Sequence, residues 1–100
     1  MPVSGNKTNE VQVTSPNKVK VKTTNTEVLK ENLARNGSEY TNSGEHAIWL
    51  GLGKAAVENE GVGPIEKGGN WNGLVGGMVW TGSVFGIAPG GETTLTVVEV

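Results

Sequence analysis

The chain has 100 residues and contains no cysteine, no aspartate, a single histidine and only five aromatic side chains. Without cysteine there is no disulfide, no thiol nucleophile and no cysteine-based zinc site. Without aspartate, any carboxylate cluster has to be built from glutamate alone. Glu58 and Glu60 come nearest to a pair, and glycosidase or calcium chemistry would need further carboxylates converging on them. An acidic solvated loop is the simpler reading. His46 follows Glu45, but neighbours on a strand point to opposite faces, so the two form no local acid–base dyad. No apolar run reaches the ~18 residues that mark a membrane-crossing helix. The opening MPVSGNKTNE lacks the apolar core of a signal peptide, so synthesis in a cytoplasm is expected. The Asn6-Lys7-Thr8 and Asn36-Gly37-Ser38 sequons then read as chance matches. The expectation is a non-enzymatic protein with no metal and no cofactor.

Charge is unevenly spread. The net charge is −2, far from the basic excess of a nucleic-acid binder. Lys7, Lys18, Lys20, Lys22, Lys30 and Arg35 nevertheless all fall in the first 35 residues, against Glu10, Glu27 and Glu31, while the remainder is acidic. A basic arm on an acidic body suits docking onto an acidic surface, a neighbouring copy included; a solvated lysine face on one strand is the plainer alternative. One hundred residues make one domain with a thin core, for which support from neighbouring subunits is plausible.

Periodicity gives the elements. Residues 1–17 are polar and read as an extended N-terminal arm, with Val11 and Val13 alternating with Gln12 and Thr14. Residues 18–100 then form one domain. Val19, Val21 and Thr23 alternate with Lys18, Lys20 and Lys22, the pattern of an edge strand whose lysines discourage edge-to-edge pairing. Residues 27–35, EVLKENLAR, are the only helix candidate. Val28, Leu29 and Leu33 fit the helical period poorly, so a single helical turn and a short strand at Val28-Leu29 both stand. Residues 38–42 read as a strand, and Asn42-Ser43-Gly44-Glu45 as a tight turn pairing it in a hairpin with residues 46–53, HAIWLGLG.

HAIWLGLG is the most apolar window and reads as a central strand buried on both faces. Ile48, Leu50 and Leu52 share one face, and Trp49 lies on the other, which needs cover from a second sheet, a loop or a subunit. Gly51 and Gly53 read as a bend or bulge. Gly51-Leu-Gly-Lys-Ala-Ala56 matches the GxGxxA form of a dinucleotide fingerprint, but Val57-Glu-Asn-Glu-Gly61 cannot continue as the helix that chemistry needs. Fourteen of the sixteen glycines lie from Gly44 onward. They separate short apolar fragments (Met78-Val79-Trp80, residues 84–87 and residues 95–100), which is the pattern of an antiparallel sandwich or barrel. The last strand, residues 93–100, is apolar on both faces and should be internal. The fold class is therefore all-β: a small antiparallel β-sandwich or barrel, jelly-roll-like, with an extended N-terminal arm. Trp49 and Trp80 sit in apolar strands and read as core. Trp71, between Asn70 and Asn72, is the candidate ligand contact.

The order of features HAIWLGLG, Gly61-Val-Gly-Pro-Ile65, Lys67-Gly-Gly-Asn-Trp71, Trp80-Thr-Gly-Ser-Val-Phe-Gly-Ile-Ala88 and Thr94-Leu-Thr-Val-Val-Glu99 resembles the small β-rich accessory virion proteins of tailed phages. Asn32-Leu-Ala-Arg-Asn-Gly37 and Tyr40-Thr-Asn42 resemble that family's upstream segment. The likeness runs from Val28 to the C-terminus and departs at Ser38-Glu39, where the family has an apolar pair. It implies a capsid decoration or cement protein on the virion surface, homo-oligomeric with a trimer favoured, whose partner is the major capsid protein. Val11, Val13, Lys18, Lys20 and Lys22 would be the contacts to shell or subunit, without nucleic acid or membrane. The alternative it implies is a carbohydrate- or receptor-binding module of a tail or head fibre, with Trp71 in the site.

Overall fold

A computed structural model describes residues 17–100. Ten strands follow one another: β1 (Asn17–Val21), β2 (Thr26–Leu29), β3 (Ser38–Asn42), β4 (Ile48–Leu52), β5 (Val62–Ile65), β6 (Asn70–Trp71), β7 (Leu74–Val75), β8 (Met78–Val79), β9 (Val84–Ile87) and β10 (Thr93–Glu99). They form two four-stranded sheets, β2-β9-β4-β5 (front) and β1-β10-β3-β6 (back), and a separate two-stranded hairpin, β7-β8. Every pairing is antiparallel. Asn17, expected at the end of the arm, is the first residue of β1.

The sheets enclose one core. Val28, Ile48, Leu50, Ile65 and Val84 come from the front; Val21, Tyr40, Leu95 and Val97 come from the back. Each buried aliphatic side chain contributes about 1.5–3 kcal/mol. Alternation decides which residues enter: along β10 Thr93, Leu95 and Val97 are buried, while Thr94, Thr96 and Val98 are half-exposed. β10 lies between β1 and β3, internal as its composition requires. The architecture is a sandwich.

Among the described residues no helix forms. Residues 27–35 divide into strand β2 and a loop. Val28 turns inward, and a Cβ on Gly86 of β9 would lie 3.2 Å from it, so tertiary packing takes the strand alternative. The expected hairpin between residues 38–42 and HAIWLGLG does not form: β3 and β4 belong to different sheets. The buried Asn42 side chain is the reason. Its amide donates to the carbonyls of His46 (2.7 Å) and Ile65 (2.8 Å), and its oxygen accepts from Gly44 N–H (3.0 Å). The turn is thereby tied to the front sheet instead of folding back on β3.

In β4, Ile48 and Leu50 are fully buried, and Trp49 is half-buried on the outer face opposite Ile87. Trp49 is thus not a core residue. The register shift in this strand falls between Ile48 and Leu50, opposite Gly63-Pro64 of β5, and not at Gly51. Gly51 is there for close approach. The carbonyls of Lys54 and Ala55 lie 2.5 and 2.7 Å from where its Cβ would stand. The chain's own loop therefore covers that part of the outer face, and Ala56 N–H reaches Asn25 Oδ1 (2.8 Å).

Candidate functional site

β1 is the outermost strand of the back sheet among the described residues, and it follows directly on the N-terminal segment. Val19 is half-buried and Val21 fully buried, so Lys18 and Lys20 face solvent. Lys20 stands 3.8 Å from Glu92, with both side chains more than half exposed. Such a pair contributes at most about 1 kcal/mol and leaves the lysine able to change partner. Lys22 is not on the strand face with the other two: β1 ends at Val21. The Lys22 N–H donates to Thr26 Oγ1 (3.0 Å), and its carbonyl accepts from Ala88 N–H (2.9 Å) across to β9. This fixes the corner between the sheets and leaves the Lys22 side chain in solvent beside the strand.

The outward face of the back sheet is polar across its width. Lys20 pairs with Thr94 and Lys18 with Thr96, and Thr96 pairs with Thr41 on its other side. Ser43 Oγ lies 3.0 Å from Thr96 Oγ1. At the far edge Asn70 donates to Glu39 Oε1 (2.7 Å). The face therefore runs from cationic at the β1 edge to anionic at the β6 edge.

Trp71, on β6, packs face to face with Tyr40, ring centroids 5.0 Å apart and planes at 30°. It is half-buried against the core, so Tyr40 occupies one of the two ring faces a stacked ligand would use. Burial pushes the Tyr40 phenol above its ordinary value, against the opposing effect of its hydrogen bond with Ser38. Trp71 and the β1 lysines sit at opposite edges of the sheet and do not form one site. Val11 and Val13 lie outside the described residues.

The remaining polar residues act within the fold. His46 is exposed beside the Gly90-Gly91 turn, and its N–H donates to Thr93 Oγ1 (3.3 Å). Glu58 and Glu60 are exposed, and among the described residues no group of three or more potential metal ligands occurs. No described helix is long and apolar enough to cross a membrane.

Sequence reasoning missed Arg35. Its side chain is fully buried; Nε donates to Glu99 Oε2 (2.7 Å), Nη1 to the carbonyls of Trp80 (2.9 Å) and Gly82 (3.1 Å), and Nη2 to that of Lys30 (2.7 Å). The Arg35 hydrogen bond is the main reason the Glu99 carboxyl is held below the usual glutamate range; Asn32 Nδ2, at 3.0 Å, adds to it. Nothing local in the sequence marks this cluster, because its two charges are 64 residues apart.

Compared with known proteins, the chain matches no family model, no curated protein and no solved structure at a significant level.

Proposed function

We propose that this chain is a structural protein of a tailed-phage virion: a decoration protein that binds the outer surface of the head shell and stabilises it through its N-terminal segment and the β1 edge. The placement of β1 carries the reading. It is the first described strand after the N-terminal segment, it lies outermost in its sheet among the described residues, and it presents Lys18 and Lys20 to solvent from a chain of net negative charge. An outer strand of this kind has backbone groups to offer an added strand; its lysines discourage pairing with another lysine-bearing edge and leave an acidic strand as the one favoured. The major capsid protein is the partner, and the decoration protein binds it as a homo-oligomer. The buried polar side chains support a structural role, since Arg35, Asn42 and Ser38 hydrogen-bond to the chain itself.

The test mixes purified protein with expanded shells of the phage that encodes it. Binding accompanied by a higher shell melting temperature is expected, together with weaker binding for Lys18→Glu/Lys20→Glu and for a chain lacking residues 1–16. No binding of the unaltered protein to expanded shells sinks the reading.

A further inference from the structure

β1 turns the backbone groups of its lysines, and not those of its valines, toward its outer edge. Ser43 N–H donates to the Thr94 carbonyl (3.0 Å), and Val100 N–H donates to the Gly37 carbonyl (3.0 Å). In an antiparallel pair, hydrogen-bonded residues alternate with unbonded ones. Thr94, Thr96 and Val98 of β10 therefore turn N–H and C=O toward β3, and Thr93, Leu95 and Val97 turn theirs toward β1. The residues opposite, Val21, Val19 and Asn17, spend their backbone groups inside the sheet. Lys18, Lys20 and Lys22 aim theirs outward. At Lys22 the edge is closed: its N–H donates to Thr26 Oγ1, and its carbonyl accepts from Ala88 N–H. No described strand lies beyond Lys18 and Lys20. These two residues thus present a backbone pairing position and a cationic side chain together.

The front sheet shows a contrast. Its outermost strand β5 carries the exposed Pro64, which brings no N–H to a ladder and so blunts that edge against any added strand. The lysines of β1 act by charge, which repels a basic strand and admits an acidic one. A strand added beside β1, in either direction, puts the side chains level with Lys18 and Lys20 on the same outward face. The side chain between them falls on the core face beside Val19. On the outward face the paired neighbours of the two lysines, Thr96 and Thr94, are uncharged. Glu92 comes only to 3.8 Å from Lys20, with both side chains more than half exposed, so a carboxylate on an added strand can take its place. On the core face Val19 is half-buried where Val21 is fully buried, so Val19 keeps a flank that an aliphatic side chain would cover. We infer that the strand this edge accepts reads acidic–apolar–acidic, with carboxylates level with Lys18 and Lys20 and an aliphatic side chain between them against Val19. The inference rests on the proposed use of the β1 edge for docking, and holds whichever protein supplies the strand.

Two peptides of one composition test it, titrated into the isotope-labelled full chain and followed by NMR. One is acetyl-Thr-Thr-Glu-Val-Glu-Thr-Thr-amide; the other is acetyl-Thr-Thr-Glu-Glu-Val-Thr-Thr-amide, whose carboxylates fall on opposite faces. The first should shift the Lys18 and Lys20 amide protons saturably and slow their exchange with solvent. The second should bind at least about fivefold more weakly, since it loses one cross-strand charge pair and turns a carboxylate toward Val19. Lys18→Glu/Lys20→Glu should reverse the choice, losing the first peptide and gaining acetyl-Thr-Thr-Lys-Val-Lys-Thr-Thr-amide, which an unfolded variant could not do. No saturable shift by about 10 mM peptide, equal affinity of the two isomers, shifts centred away from β1, or a folded variant that binds neither charged peptide would each overturn the inference. Competition distinguishes the edge pattern from the shell partner. Shells that hold the chain undisplaced by the first peptide overturn the pattern alone; peptide binding without shell binding upholds the pattern and sinks the proposed function.

Discussion

Arg35 gathers three separate stretches of chain, and its removal should be felt in all of them. Arg35→Ala takes the Arg35 guanidinium away from the partly buried Glu99 carboxylate and from the three carbonyls it binds. Breaking a buried pair from one side costs about 3–5 kcal/mol, a loss that urea denaturation monitored by tryptophan fluorescence will register. The same cluster sets an acid limit. Because Arg35 depresses the Glu99 pKa, the folded chain binds fewer protons there than the unfolded chain does between the two pKa values. The stability from this group is complete above the ordinary glutamate range and is lost as pH falls through the folded value. Urea midpoints followed from neutral into acid solution should decline accordingly, and Glu99→Gln should remove that part of the decline. Asn42→Ala should cost about 1–3 kcal/mol for each carbonyl left bare, at His46 and at Ile65. Neither residue is conspicuous in the sequence: Arg35 reads as one more cation in a basic stretch and Asn42 as a turn former, because their partners are supplied by the fold.

At the scale of elements, the strands with strict alternation were legible and their neighbours were not. β1, β3 and β10 lie close to where period two puts them, since alternation alone assigns each side chain to core or solvent. Pairing across sheets depends on contacts distant in sequence, which is why β3 and β4 parted company. Gly51 is the sharpest case. A glycine in an apolar strand signals either a bulge or a close approach, and only the position of the loop around Lys54 and Ala55 chooses the second. Gly51→Val should therefore displace that loop at a cost of about 1–3 kcal/mol, seen as a lower melting temperature and as faster hydrogen exchange at Ala56, whose amide binds Asn25. Lys18→Glu/Lys20→Glu, by contrast, changes solvent-facing side chains and, with the exposed Lys20–Glu92 pair lost, should shift stability by about 1 kcal/mol. A thermal melt showing no greater loss would then assign any loss of shell binding to the edge itself.

At the scale of the molecule, two polar clasps close the ends of one apolar core. The strand register puts Asn42 and Thr93 at one end, and Ser38, Glu99 and Asn17 at the other. Arg35, the β7-β8 hairpin and the point where the N-terminal segment joins all belong to this second end, since Gly73 packs against Ser38 and Arg35 binds Glu99. With one core shared by both sheets, neither sheet is stable alone. Unfolding should be a single transition in which calorimetric and van't Hoff enthalpies agree; two resolved transitions would show that the sheets unfold separately.

The sequence by itself determined the exclusion of thiol chemistry, the all-β class, the inward and outward faces of the regular strands and the lysine edge, because each follows from residue type or from a period of two. Only the tertiary structure decided the assignment of strands to sheets, the Arg35–Glu99 clasp, the Asn42 corner, the burial of one face of Trp71 and the exposure of the hairpin. These rest on contacts between residues as far as 64 positions apart. Local pattern carries no information about which distant strand will lie beside a given one; packing of the shared core selects it.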